Sequence, residues 1–398
     1  MLQQRIQGVD EQEHLPSMLA ADARELAYQL QEHQKKIFSP TAQKTMRPFS
    51  PAEAAAFIGI GEGYLRQIAS EGHGPQPLSN GRRMYAVEDI ERIRRVLDDG
   101  SKAGKYIPHR RAGEKLQVIS VMNFKGGSGK TTTAAHLSQY LALRGYRVLA
   151  IDLDPQASLS ALFGHQPELD VGEAETLYGA IRYENPRPVA DIVRSTYTTN
   201  LHLIPGNLEL MEFEHETPKA MIGGSAETMF FARIGEVLTG IESFYDVVVI
   251  DCPPQLGFLT MSALCAATSV LITVHPQMLD VMSMSQFLSM TSELMAVVEK
   301  AGGRTSYDWM RYLVTRFEPN DGPQSQMTGF MRAIFGNRML LNAMVKSTAI
   351  SDAGVTKQTL YEVERSQFIR GTYDRAMESL SLVNAEIEEM IRKVWGRK

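Results

Sequence analysis

The spacing of apolar positions divides this chain into regions. From residue 116 onward, short apolar runs alternate with longer stretches of helical period. The runs Val118–Met122, Val148–Leu153, Leu201–Ile204, Val247–Ile250, Val270–Val274 and Tyr312–Thr315 predict strands. Strands this apolar are covered on both sides, so their alternation with helices predicts an α/β domain with a parallel sheet, spanning residues 116–398. Near its end Leu380, Val383, Ile387, Ile391 and Val394 share one face of a helix expected from Asp374 to Val394, which should pack on the domain.

Residues 48–100 follow a different pattern. Ser50 is a ready N-cap with Pro51 at the first helical position, and the apolar spacing predicts a helix to Ile58. The glycine-rich Gly59–Gly63 is a turn, and Tyr64–Glu71 a second short helix. Asn80-Gly81 lies between two short extended runs and predicts a tight hairpin. Val87–Val96 closes the unit with another helix. This is a helix-turn-helix layout with a wing, and it resembles the MerR kind. Tyr64, Arg66 and Gln67 are expected to face a DNA groove, with Arg82 and Arg83 at the wing tip near phosphates.

Two further segments flank this head. Residues 1–47 are polar, but Leu19, Ala23, Leu26, Ala27 and Leu30 recur at helical spacing. They predict an amphipathic arm helix from about Ser17 to Ile37, with Ser17 as N-cap, suited to dimerisation or packing. Residues 101–115 read as a linker with five basic residues and one acidic, able to touch a DNA backbone.

Composition narrows the picture only modestly. The chain of 398 residues is 43% hydrophobic and 22% charged, so it has ample material for a core and for more than one domain. The net charge of −5 does not announce nucleic-acid binding, so any basic surface must be local. No apolar run reaches the roughly 18 residues needed to span a bilayer. The polar start and the presence of only two cysteines, Cys252 and Cys265, suit a reduced, cytoplasmic protein.

The chemistry concentrates in one stretch, Lys125-Gly-Gly-Ser-Gly-Lys-Thr-Thr132, set between a strand and a helix expected over Thr131–Arg144. Gly126, Gly127 and Gly129 let a backbone close around phosphate oxygens, and Ser128 and Thr132 complete the loop. Inward N–H groups and the helix N-terminus favour an anion. Lys130 would reach the β- and γ-phosphates of ATP, and the Thr131 hydroxyl would ligate Mg2+. Asp152 and Asp154 flank Leu153 at the exit of the second strand, so they are expected on the same face of an extended strand. Asp251 ends the run Val247–Ile250 and would hold Mg2+ through water. Cys252 reads as a packed side chain, and His275, at a strand end, as structural.

The loop lacks the first glycine of the ordinary phosphate-loop pattern; Phe124 stands there, beside the extra Lys125. This form, K-G-G-x-G-K-T, resembles the ParA/MinD family of deviant Walker A ATPases. With the head and arm added, the chain is similar to the large ParA plasmid partition proteins, most closely the RepA group of repABC plasmids. The resemblance implies a homodimer in which Lys125 reaches the partner's phosphates, and Asp154 as the residue that places the attacking water. Asp152 would then join the Mg2+ water shell. It implies a slow ATPase stimulated by a ParB/RepB-type partner, nucleoid association through non-specific DNA, and repression of its own operon. It also places Arg316 and Lys346 near the adenine base, although Val345-Lys346 stands where the family usually has Pro-Arg. The loop His275–Asp280 matches a family loop ending in an acidic residue near the dimer interface.

Two other classes share parts of this pattern. A dedicated transcriptional repressor could use the nucleotide domain only to sense and dimerise. A biosynthetic or iron-cluster ATPase would share the loop, but the head argues against the first and the absence of paired cluster cysteines against the second.

Overall fold

The computed structural model describes residues 15–37, 44–101, 104–223 and 229–397. The first 14 residues of the predicted arm, residues 38–43 and two residues of the predicted linker lie outside these.

The arm contains helix α1 (Leu15–Ile37). It starts two residues before the predicted N-cap, so Ser17 lies inside it. Leu15, Leu19 and Leu26 are all exposed. The arm, Met1–Lys44, forms one compact unit and Thr45–Lys398 the other.

The head holds α2 (Pro51–Ile58), α3 (Glu62–Ile68) and α4 (Val87–Asp99). Ser50 caps α2 through a capping box with Glu53, and Gly59 ends it in the left-handed conformation at φ 81°. The second helix is shorter than expected. It stops at Ile68 and continues as one wider turn, Ala69–His73, that breaks at Gly72 with φ 97°. The predicted hairpin does not form as paired strands. Gly81 makes the turn at φ 75°, and Leu78 N–H donates to the Arg82 carbonyl at 2.7 Å. Beyond that, Tyr85 pairs with Phe49 ahead of α2 instead. Prolines at 75 and 77 lack the N–H groups that a longer ladder requires.

In the large domain, β1 (Gln117–Met122), β2 (Val148–Asp152), β3 (Arg194–Ser195), β4 (Leu201–Ile204), β5 (Val247–Asp251), β6 (Ser269–Val274) and β7 (Trp309–Val314) make one sheet. Their order is β3-β4-β2-β5-β1-β6-β7. All neighbours are parallel except β3 and β4. The two-residue β3 carries no apolar run and was not foreseen. β1, β2, β5 and β6 are buried along their whole length, which explains their richness in Val, Ile and Leu. Helix α5 (Lys130–Leu143) follows β1, α6 (Phe258–Ala266) precedes β6, α7 (Met278–Lys300) follows β6, and α8 (Arg370–Val394) is the last helix, with further helices between. As expected, α8 packs with Leu380, Val383, Ile387 and Ile391 buried.

The head does not hang from a flexible linker. Phe49, Phe57, Leu65, Ile90 and Ile93 belong to the same apolar cluster as Leu141, Tyr146, Tyr361 and Leu380 of the large domain. Polar bonds fix the seam. Arg94 of α4, 1% exposed, donates to the carbonyls of Phe57 at 3.0 Å and Leu143 at 2.8 Å. Arg144 donates to the Ala56 and Phe57 carbonyls at 2.7 and 3.1 Å, and to buried Glu388 on α8. Glu388 also accepts from the Tyr140 and Tyr146 hydroxyls, each at 3.0 Å. The basic linker is likewise committed to the protein: Arg110 donates to the Tyr245 carbonyl at 2.9 Å, and its own N–H meets Asp246 at 2.8 Å.

Candidate active site

The β1 strand ends at Met122, and the chain turns through residues 123–129 into α5. Gly127 and Gly129 adopt φ of 74° and 85°, a region closed to most side chains, which is why glycine stands at both. Gly126 has open space around it and an ordinary φ, so sterics alone do not demand glycine there. Asn123 starts the turn by accepting the Lys125 N–H at 3.0 Å. Among the described residues, none of the N–H groups of Gly126, Gly127, Ser128 and Gly129 has an acceptor in the protein. A row of unpaired donors at a helix N-terminus is an anion cradle.

Lys130, 6% exposed, projects from the first residue of α5, its ammonium donating to the Lys125 carbonyl at 3.3 Å. Burial holds its pKa below the ordinary lysine range, against the pull of Asp251 and Asp154. Asp251, at the tip of β5, is fully buried, and neither carboxylate oxygen has a hydrogen-bond partner. Burial and the neighbouring Asp152, its register partner on β2, push its pKa well above the usual carboxylate range. The Thr131 hydroxyl lies close enough to favour the charged form. A buried carboxylate without partners is costly, and a cation removes that cost. Thr131 and Asp251 therefore fit Mg2+: hard oxygen donors beside a phosphate cradle.

The other acidic residues occupy different settings. β2 ends at Asp152, so Asp152 and Asp154 do not share a strand face. One Asp152 oxygen accepts from the Ser160 N–H and hydroxyl, each at 2.7 Å, and the other from the Asp154 N–H at 3.2 Å. With both oxygens engaged, Asp152 organises the turn that follows it; Gly206 packs so close behind that a Cβ would meet the Asp152 and Asp154 carbonyls at 3.0 Å. Asp154 lies beyond the strand, partly open, with one oxygen accepting the Gln156 N–H at 3.0 Å. Burial pushes the Cys252 thiol up to about 12, so it is a packed side chain and not a nucleophile at neutral pH.

Lys125 stands at the mouth of the cradle, half exposed, and pairs with Asp280 in the first turn of α7. The other Asp280 oxygen faces His275 Nδ1 at 3.1 Å. Phe124, at the position of the missing glycine, stacks on Phe287 of α7 with ring centroids 5.2 Å apart. The loop is thus tied to α7 on one side. On the other, Arg316 donates to the Gly127 carbonyl at 3.1 Å, while Lys346 pairs with Glu318 at 2.9 Å. Sequence reasoning missed Asn123, Thr273 and Thr315; the signal for them is a polar residue at or next to the end of β1, β6 and β7.

In the head, α3 turns Leu65 and Ile68 inward and Tyr64, Arg66 and Gln67 outward. Arg66 pairs with Glu62, and Gln67 donates to Glu71 at 2.9 Å. Arg82 is exposed at the turn. Arg83 folds back to donate to the Pro75 carbonyl at 3.0 Å and braces the turn instead of standing at its tip.

Comparison with known proteins places this geometry. Residues 116–301 match a family model described as an AAA domain. A Rhizobium rhizogenes protein carrying the provisional name replication protein A is 60% identical over 392 residues, covering 96% of each chain. The chromosome partitioning protein ParA of Caulobacter vibrioides is 30% identical over 245 residues, covering 60% of this chain and 84% of that one. A solved structure named Partition Protein superimposes with a TM-score of 0.64 at 15% identity, over 93% of this chain and 98% of that one, a likeness of fold. With a deviant phosphate loop at the tip of β1, Asp251 at the tip of β5 and relatives of this identity, the chain belongs to the ParA/MinD-type phosphate-loop ATPases, alongside the replication protein A chains of rhizobia.

Proposed function

We propose that this protein is a plasmid partition ATPase whose nucleotide cycle switches dimerisation and DNA binding. The observation that carries the proposal is the cradle itself: unpaired loop amides, buried Lys130 and the partnerless Asp251 carboxylate converge where a triphosphate would lie. Lys130 and the loop amides bind and orient the phosphates. Thr131 and Asp251 would hold Mg2+, which supplies charge neutralisation for the triphosphate. Asp154, open to solvent beside this group, accepts a hydrogen bond from the attacking water and aims it. Lys125 leaves Asp280 and crosses to the phosphates of a second protomer, so loss of the γ-phosphate loosens the dimer. Catalysis of this kind is positioning and charge stabilisation, and it suits a timer better than a metabolic enzyme.

The head supplies DNA binding. Tyr64, Arg66 and Gln67 face outward together on α3, and Arg82 is exposed on the turn. Glu62 and Glu71 pair with Arg66 and Gln67 and would release them to the groove. We assign to this surface an operator, and with it repression of the protein's own operon, and to the ATPase domain a ParB/RepB-type partner that accelerates hydrolysis. Non-specific DNA binding would place the protein on the nucleoid; among the described residues no helix is long and apolar enough to cross a membrane.

The test combines operator and non-specific DNA binding, measured with ATP, ADP and no nucleotide, with ATP turnover measured with and without the partner protein. DNA affinity that follows the nucleotide supports the switch. Operator binding indifferent to nucleotide, with no turnover in the partner's presence, would favour a dedicated repressor.

A further inference from the structure

The step from β7 into the next loop, Thr315-Arg316, does something its sequence position does not suggest. Thr315 is 2% exposed, and its hydroxyl donates to the Ser128 carbonyl at 2.7 Å. Arg316 donates from its guanidinium to the Gly127 carbonyl at 3.1 Å. These two consecutive residues thus grip two consecutive carbonyls of the phosphate loop. The two side chains lie in van der Waals reach of the loop. A Cβ at Gly129 would meet the Thr315 side chain at 3.4 Å, and one at Gly127 would meet the Arg316 guanidinium at 3.5 Å. Arg316 itself sits at φ 52°, a left-handed backbone uncommon for a side chain of its size. Its side chain reaches the loop from that conformation.

The geometry of the peptide unit gives these contacts their meaning. In a trans peptide the carbonyl of one residue and the N–H of the next point in opposite directions. Holding the Gly127 and Ser128 carbonyls toward Thr315 and Arg316 turns the N–H groups of Ser128 and Gly129 the other way. Those N–H groups have no acceptor in the protein among the described residues. The loop's other anchors act elsewhere: Asn123 holds the Lys125 N–H, and Thr273 donates to the Ser128 hydroxyl at 3.1 Å.

We infer that Thr315 and Arg316 are positioning residues for the phosphate loop, which preset its amides for a polyphosphate by fixing the carbonyls behind them. The inference rests on the nucleotide-binding reading above and sharpens it: Arg316 serves the phosphates and not the adenine base.

The experiment uses the full chain and two probes, ATP and inorganic triphosphate, the second read by competition against a fluorescent ATP analogue. Arg316→Met should weaken both by a similar factor, about tenfold, the scale of one lost hydrogen bond together with the loop order it maintains. Thr315→Val removes the hydroxyl while keeping the shape and should do the same, and Thr315→Ser should restore binding. If Arg316→Met weakens ATP but leaves inorganic triphosphate untouched, Arg316 holds base or ribose and the inference is wrong. Unchanged binding of both probes also overturns it. Arg316 lies at the surface, so its substitution tests the idea even if Thr315→Val does not fold. A parent protein that binds neither probe would instead sink the nucleotide reading on which this rests.

Discussion

The guanidinium of Arg94, in the last helix of the head, donates to the carbonyl of Leu143, the last residue of the helix that begins at the phosphate loop. One end of α5 therefore faces the candidate nucleotide, and the other holds the DNA-binding candidate. Arg94→Ala would take its donor from the Leu143 carbonyl inside a buried seam and leave the Phe57 carbonyl with Arg144 alone. The expected cost is about 3 kcal/mol of stability, read from denaturant midpoints. The variant should also uncouple operator binding from nucleotide. Retained stability and retained coupling together would show that the seam is incidental.

The ion pair between Lys125 and Asp280 keeps occupied the residue assigned to the second protomer. Asp280→Asn should release it and raise the dimer fraction at subsaturating ATP, measured by sedimentation velocity. His275→Gln should shift the same equilibrium more weakly, because His275 only steadies Asp280. A dimer fraction equal to that of the parent in both variants would mean that the pair is not a brake.

Lys130 and Asp154 separate binding from chemistry. Lys130→Ala removes the buried cation and should abolish nucleotide binding in calorimetry. Asp154→Ala should bind ATP and dimerise, yet lower turnover by about 10²–10⁴-fold, the range for loss of a group that handles the reacting proton. Normal hydrolysis in Asp154→Ala would move the water-placing role to another residue.

His136, on α5, makes stability depend on pH. Its Nε2 accepts the Leu360 N–H at 3.2 Å, so the proton must sit on Nδ1, which faces the Thr132 carbonyl at 2.7 Å. Burial holds its pKa below the ordinary value of about 6.5. Above that value both folded and unfolded chains carry neutral His136, and it contributes no pH dependence. As pH falls below about 6.5 the unfolded chain takes up a proton that the folded chain refuses. Stability then falls by up to about 1.4 kcal/mol per pH unit until the lower folded pKa is reached. Denaturation of the parent and His136→Asn at pH 7.5 and 5.5 should show a smaller acid loss in the variant. Equal losses would assign the acid sensitivity to other groups.

Much of the large domain was legible because its code is one-dimensional. An apolar run ending in Asp251 reads as a buried strand with a carboxylate at its tip, and the loop from Lys125 to Thr132 carries its own spacing. What escaped was whatever depends on residues far apart in the chain. Arg94 sits in a run of charges, Arg92-Ile-Arg-Arg95, that reads as a solvated helix face, yet it is buried by residues some fifty positions away. Asp152 reads as a twin of Asp154 until Ser160 folds back to claim its oxygens. Thr315 and Arg316 read as a strand end near the base, and only the β6–β7 pairing brings them under the phosphate loop. The short β3 has no pattern of its own and exists because β4 offers it an open edge.

The shared core between head and ATPase also bears on how such proteins diversify. A segment beginning near residue 116 would present Tyr146, Tyr361 and the end of α5 to water, surfaces that Phe57 and Arg94 now cover. The head is thus not a cassette that recombination can exchange freely for another. A viable exchange must bring a matching helix end and C-terminal helix with it, so the head and the nucleotide domain are inherited as one piece.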